Sequence, residues 1–223
     1  MKTIVFACNT IRDELLLAES HVGSGFEIVW AESSLHNFPD KLRGEIQQFL
    51  DGLKGYDRVL LAFGFCGGTV AELRTHAFEM ILPRIDDCIS LMIGSVEERE
   101  RLSEGHHCIY LTKGWIENES NIWSEYQYTL EKYGEKTAQF VIDEMFKHHD
   151  ILAIIDNGAF AVESIIEKAD MMAERFDMAC TVIPGNVAYF ERLLTGPYDE
   201  ELFICVPHHS VLPAEDLQLT LPA

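Results

Sequence analysis

Short apolar runs alternate with segments of helical spacing along most of this chain, and no other feature of the sequence constrains the fold as strongly. Apolar runs that are bounded by turn residues are typical of strands buried on both faces. Their alternation with helices predicts an α/β fold of the Rossmann-like kind, a mostly parallel sheet with helices on both faces. The predicted strands are TIVFAC (3–8), FEIVWAE (26–32), RVLLAFGF (58–65), EMILPR (79–84), HCIYLTKGW (107–115), ILAIID (151–156), ACTVIP (179–184) and LFICVP (202–207).

The same alternation divides the chain into three parts. Residues 1–117 are predicted to form an N-terminal α/β lobe and residues 150–223 a C-terminal one, each built as a small βαβ array. Residues 118–149 between them read as two polar helices that connect the lobes. Within the first lobe, a short helix is predicted over residues 68–77, after the third strand.

The charge balance excludes two classes of partner. The chain carries 37 acidic and 17 basic residues, a net charge of −20, and such a field repels nucleic-acid phosphates and anionic membrane surfaces. No apolar run reaches the roughly 18 residues that a membrane span needs. The first residues, MKTIVFACNT, read as a strand and not as a signal peptide. We therefore expect a cytoplasmic protein with reduced thiols that acts on a small-molecule substrate.

Three of the six cysteines stand where open α/β sheets bind ligands, beyond the carboxyl ends of strands. Cys8, Cys66 and Cys88 each follow a predicted strand and precede a predicted helix. Because the positive end of a helix lowers the pKa of a nearby thiol, we expect thiolates at this edge. Crowded thiolates repel one another unless a cation neutralises them. This predicts a bound metal ion, with zinc as the first choice and an iron–sulfur cluster as the alternative.

A buried cysteine also packs as a small apolar residue, and that interpretation stays open for each of the three. It is the one we adopt for the cysteines inside predicted strands, which are Cys108, Cys180 and Cys205.

Other residues at the same strand ends are candidates for cofactor binding. Gly67 and Gly68 carry no side chains, so their backbone N–H groups can approach a sulfur or an anion closely. Arg84 either clamps a carboxylate or phosphate or pairs with the neighbouring aspartates. Trp115 either stacks on a planar ligand or closes the core. Asp156 either reaches a ligand across the cleft between the lobes or caps a helix.

Three stretches of the chain are FGFCGG (63–68), LPRIDDCISLMIGS (82–95) and YLTKGWIE (110–117). Together they resemble domain of unknown function family 1638, a group of bacterial and archaeal proteins. The resemblance implies a cysteine at each of positions 8, 66 and 88. It also implies an anaerobic setting beside corrinoid-dependent methyltransferase systems. Where the family usually has histidine, this chain has Asp86, which implies either a harder oxygen ligand or a water at the fourth position of a metal.

These observations lead to three functional hypotheses. The first is a metal-binding enzyme or accessory factor in anaerobic one-carbon or methyl-transfer metabolism, with Cys8, Cys66, Cys88 and Asp86 as candidate metal ligands. The second is a non-catalytic module that binds a corrinoid or a corrinoid protein. A corrinoid protein or a methyltransferase is the macromolecular partner that we expect. The third is a metal-free enzyme that uses Cys66 as its nucleophile. The sequence assigns no catalytic residue, and it contains neither a P-loop nor a G-x-G-x-x-G nucleotide fingerprint.

Overall fold

The structure of the protein is a computed structural model that describes residues 1–32, 35, 38–117 and 121–217. The strands are β1 Thr3–Cys8, β2 Glu27–Ala31, β3 Arg58–Ala62, β4 Glu79–Pro83, β5 Cys108–Leu111, β6 Ile151–Asp156, β7 Ala179–Pro184 and β8 Phe203–Val206. The helices are α1 Arg12–Val22, α2 Pro39–Gly52, α3 Cys88–Ile93, α4 Val96–Ser103, α5 Lys113–Glu117, α6 Ile122–Tyr133, α7 Glu135–Phe146, α8 Ile166–Phe176 and α9 Ala188–Thr195. The predicted α/β fold with mostly parallel strands is confirmed.

The larger sheet has the strand order β2-β1-β3-β4-β8, in which the first four strands are parallel. Every residue of β1 is buried, as expected for a central strand covered by helices on both faces. On one face, α2 contributes Leu42, Ile46 and Leu50, which lie one helical turn apart. The strand order reverses between β1 and β3, and ligands bind at such a switch point in open α/β sheets.

The smaller sheet has the order β5-β6-β7, all parallel. This grouping differs from the predicted lobes, because β5 lies within residues 1–117 but pairs with β6. Similarly, β8 lies within residues 150–223 but pairs antiparallel with β4 of the larger sheet. The two helices α6 and α7 occupy the predicted connector and carry the chain from β5 to β6.

The predicted helix over residues 68–77 is wrong. Residues 66–68 form a single 3-10 turn, and the chain then runs in turns, with Glu72 in the left-handed region at φ +59°. A helix cannot continue through such a residue. The backbone instead pairs with the last part of the described chain, since Glu72 N–H donates to the Leu212 carbonyl and Thr75 N–H to the Ser210 carbonyl, both at 2.9 Å.

The two sheets share one core. Ile155 of β6 and Ile183 of β7 belong to the same buried cluster as β1, β3 and β4. The opposite face of the smaller sheet packs in a second cluster with residues of α5, α6, α7 and α8. Within the described residues, no helix is long and apolar enough to cross a membrane.

Candidate metal centre at the switch point

The FGFCGG stretch brings the ends of β3 and β4 into backbone contact. A side chain at Gly64 would place its Cβ 2.5 Å from the Cα of Asp87, so only glycine fits there. Beyond it, Phe65 N–H donates to the Ile85 carbonyl at 2.9 Å, and Cys66 N–H donates to the Asp86 carbonyl at 2.8 Å. The turn that carries Cys66 is therefore tied to the turn that carries Cys88.

Cys66 itself has an unusual backbone. Its φ is +44°, a value that residues with a Cβ rarely adopt, and Gly67 and Gly68 follow at +68° and +86°. The backbone N–H groups of Gly64 and Cys88 stabilise the thiolate form of Cys66 by hydrogen bonding. The turn is also held by Arg43 of α2, whose Nη2 donates to the Gly68 carbonyl at 2.9 Å.

Cys88 is the first residue of α3, and Asp87 caps that helix. One carboxylate oxygen of Asp87 accepts hydrogen bonds from Ile89 N–H at 2.9 Å and from Ser90 N–H at 3.0 Å. The capping role predicted by its position is thus present, and it fixes the start of the helix beside Cys66.

Arg99 of α4 clamps the loop that precedes Cys88. Its guanidinium pairs with Asp87 Oδ2 at 3.0 Å and with Asp86 Oδ2 at 2.6 Å. The other oxygen of Asp86 accepts from the Asp87 N–H at 2.9 Å. Both oxygens of the candidate ligand Asp86 are therefore already engaged within the protein.

Cys8, the last residue of β1, lies on the other side of the switch point. Its sulfur is 2.9 Å from the hydroxyl oxygen of Thr10, which is 1% exposed. The Thr10 carbonyl in turn packs against Gly114 at the start of α5, where a Cβ would lie only 2.1 Å from that oxygen. Gly114, which follows β5 of the smaller sheet, therefore contacts the residue whose hydroxyl lies beside Cys8.

The three sulfurs influence one another electrostatically. Burial raises the pKa of all three thiols, to about 12 for Cys66. Charge on Cys8 further raises the pKa of Cys66, and charges on Cys66 and Cys8 raise that of Cys88. Such coupling is expected between groups at the same edge of a sheet that are partly shielded from water. The topology explains this, because β1, β3 and β4 are neighbouring parallel strands that end at one edge.

The predicted lowering of the thiol pKa values is wrong. Cys66 lies on a 3-10 turn and Cys88 starts a helix of only six residues, so each has little of the positive field of a long helix. Desolvation of a buried thiolate outweighs that field. Without a nearby cation, these side chains are therefore neutral thiols near pH 7.

The thiols do not yet converge on one point. Within residues 1–32, 35, 38–117 and 121–217, no three Cys, His, Asp or Glu side chains stand in an arrangement that would hold a metal ion. The donor chemistry nevertheless suits a thiophilic cation, since two buried thiols and one half-buried thiol at one edge of the sheet supply soft ligands.

The remaining predicted site residues lie in different environments. Gly67 is exposed, and neither it nor Gly68 has an atom within 4 Å of the place a Cβ would occupy. Arg84 donates to the backbone carbonyls of Glu200 at 2.8 Å and Asp216 at 3.2 Å.

Asp156 is exposed and accepts from Gly158 N–H at 3.3 Å. Trp115 is half-buried, packs against both core clusters and lines a cavity beside α6.

Sequence reasoning missed a buried acid between the two sheets. Glu14 is 0% exposed, and its Oε1 accepts from the side-chain amide of Asn157 at 3.2 Å. Its Oε2 has no hydrogen-bond partner among the described residues. Burial raises the pKa of this carboxyl group. The helical spacing of α1 could have revealed it, because Glu14 lies on the buried face of this helix together with Leu15 and Ala18.

Fold and site together define a Rossmann-like α/β protein with three cysteines at or just beyond the carboxyl ends of β1, β3 and β4 in its larger sheet. The chain belongs to the family described as "Protein of unknown function (DUF1638)", whose model matches residues 30–194. The matched range contains Cys66 and Cys88 and begins after Cys8. No curated protein and no solved structure matches the chain.

Proposed function

We propose that Cys8, Cys66 and Cys88 hold a metal ion at the switch point, with zinc as the ion and an iron–sulfur cluster as the alternative. The observation that carries this proposal is that Cys8 ends β1 while Cys66 and Cys88 lie in the turns that follow β3 and β4, three neighbouring parallel strands. The three cysteines would hold zinc and leave a position for substrate, where the ion would supply Lewis-acid chemistry.

The surrounding residues would orient the thiolates. The N–H groups of Gly64 and Cys88 act on the Cys66 sulfur, and the Thr10 hydroxyl, 2.9 Å from Cys8, can donate to that sulfur when it is ionised. Such partners commonly fix the orientation of metal ligands. Metal binding would require the three side chains to turn towards a common ion, since they do not form a metal-holding group among the described residues. We leave Asp86 out of the ligand set because Arg99 pairs with it at 2.6 Å.

Metal analysis tests this proposal. Protein purified without oxygen and supplied with zinc is expected to hold about one ion per chain, and the Cys88→Ser variant is expected to lose it. The matched control is Cys205→Ser, which changes an exposed cysteine of β8. Folded wild-type protein that retains no metal, or a Cys88→Ser variant that retains it fully, would contradict the proposal.

We further propose that the centre serves an enzyme or accessory factor in anaerobic one-carbon or methyl-transfer metabolism, with a corrinoid protein or methyltransferase as partner. Support comes from the family resemblance and from the soft ligand set, which suits binding of a substrate thiolate. The test offers methylcobalamin and a small thiol to the zinc-loaded protein. The methyl group would move to sulfur, giving a thioether and leaving cob(I)alamin, which is followed by its absorbance. No difference from the Cys88→Ser variant would contradict this role.

A further inference from the structure

The helical hairpin α6–α7 encloses a cavity that the cysteine site does not use. The cavity has a volume of about 370 Å³. Its lining is mostly apolar and includes the rings of Trp115, Tyr126 and Phe146. Small-molecule pockets are usually lined by apolar and aromatic side chains with only a few polar ones.

The cavity exists because α7 packs loosely. Only Ala138 and Ile142 of this helix are buried. Met145 lines the cavity and yet is 54% exposed, so the cavity opens to solvent beside it. A second space of about 240 Å³ lies beside Ile142 and Phe146 and also touches Asp177. Since α7 has unfilled space against both neighbours, a ligand that enters beside Met145 would add packing that the helix lacks.

The volume of the cavity, about 370 Å³, suits a small molecule. It lies within the range of roughly 300–1,000 Å³ that is usual for small-ligand pockets.

Charge limits the ligand further. Among the described residues that line the cavity, Glu125 is the only charged one. The carboxylate and the net charge of −20 disfavour an anion. Aromatic ring faces accept a neutral planar group and attract a cation.

We propose that the α6–α7 cavity binds a small, flat, apolar molecule that is uncharged or positively charged, with Trp115 as one wall. The cavity is linked to the cysteines, because Gly114, next to Trp115, packs against the Thr10 carbonyl, and the Thr10 hydroxyl contacts Cys8. Binding itself does not depend on whether the cysteines hold a metal. A negative result here and a negative result in metal analysis are therefore separate outcomes.

Dye titration of the full-length protein tests the proposal. The probes are Nile red, which is neutral, thioflavin T, which is cationic, and 1-anilinonaphthalene-8-sulfonate, which is anionic. We expect saturable binding of the first two with one site per chain, and binding of the anion at least tenfold weaker. An anion that binds as tightly as the other two, or the absence of saturable binding, would overturn the proposal.

Variants place the probe in the cavity. Met145→Trp narrows the cavity from its exposed rim and is expected to weaken Nile red binding at least tenfold. The matched control is Phe140→Trp on the same helix, at a position that is 64% exposed and does not line the cavity.

Glu125→Gln is expected to weaken thioflavin T binding severalfold and to leave Nile red binding unchanged. Should Met145→Trp fail to fold by circular dichroism, Val141→Phe takes its place. If folded Met145→Trp, or Val141→Phe in its place, binds Nile red as tightly as Phe140→Trp does, the dye does not bind in the cavity and the proposal is refuted.

Discussion

Individual residues at the switch point show how burial overrides local expectation. Cys66 sits on a turn that looks suited to a thiolate, with two glycines after it, yet desolvation raises its pKa to about 12. A metal-free nucleophile at this position would need a partner that removes its proton. The same burial makes a cation the natural way to stabilise three neighbouring thiolates.

The left-handed backbone of Cys66 leads to a stability prediction. Its φ of +44° costs a residue with a Cβ about 1 kcal/mol, and glycine avoids that cost. Both Cys66→Gly and Cys66→Ala remove the sulfur. The difference between their free energies of unfolding therefore reports the cost of the left-handed backbone conformation. We expect the glycine variant to exceed the alanine variant by about 1 kcal/mol in the free energy of unfolding of metal-free protein, measured in urea. An alanine variant of equal or greater stability would show that Cys66 is not strained.

Glu14 leads to a prediction about pH. Burial raises its pKa in the folded protein above the ordinary value of 4.5. As pH rises through 4.5, the unfolded chain loses this proton before the folded chain does, so the contribution of Glu14 to stability falls until the folded pKa is passed. Glu14→Gln cannot ionise, and we expect its free energy of unfolding relative to wild type to be higher at pH 8 than at pH 5.

The control for this measurement is Glu100→Gln, which removes an exposed carboxylate of α4. Its free energy of unfolding relative to wild type is expected to change little between the two pH values. A Glu14→Gln difference that shrinks towards high pH would mean that Glu14 is stabilised as an anion.

At the level of elements, the positions of the strands could be predicted, but some of their ends and all of their neighbours could not. The third strand was predicted to end at Phe65 and the fifth at Trp115, whereas β3 ends at Ala62 and β5 at Leu111, where the chain turns into α5. The apolar runs nevertheless place Cys8, Cys66 and Cys88 at or just beyond the carboxyl ends of strands from sequence alone. That β1, β3 and β4 are adjacent is a property of the topology, and it is what brings the cysteines together. The local hydrophobic pattern likewise could not predict that β5 pairs with β6 across the helical connector.

Other differences arose from contacts that are distant in sequence. Arg99 lies in a polar helix that carries no motif, yet it binds the carboxylate of Asp86, which was expected to face a metal. The turn Asp156-Asn157-Gly158 was identified at a strand end, but which side chain points inward depends on the neighbouring sheet. Asn157 reaches Glu14, while Asp156 is exposed.

Two glycine positions test the close packing of the strand-end turns. Gly64→Ala would place a Cβ 2.5 Å from the Asp87 backbone, and we expect a loss of about 1–3 kcal/mol in the free energy of unfolding. Gly44→Ala lies in α2 with no atom within 4 Å of the new methyl group, and we expect a gain of roughly 0.5–1 kcal/mol. Urea unfolding of both variants measures the contrast. A Gly64→Ala variant as stable as wild type would show that the two turns can move apart.

For the whole molecule, the shared core positions the site. Residues of β6 and β7 pack in the same cluster as β1, β3 and β4. Consequently, Glu14 of the first sheet's connection contacts Asn157 of the second sheet's. Thr10, whose hydroxyl lies 2.9 Å from the Cys8 sulfur, packs against Gly114. The site is thus assembled from segments far apart in sequence, and it requires the complete fold.

X-ray absorption at the zinc edge shows whether all three cysteines bind the ion. Zinc-loaded wild-type protein is expected to have a shell of about three sulfur neighbours at about 2.3 Å, and the Cys66→Ser variant is expected to have one fewer. A shell of nitrogen and oxygen alone, or a spectrum unchanged by Cys66→Ser, would contradict this expectation.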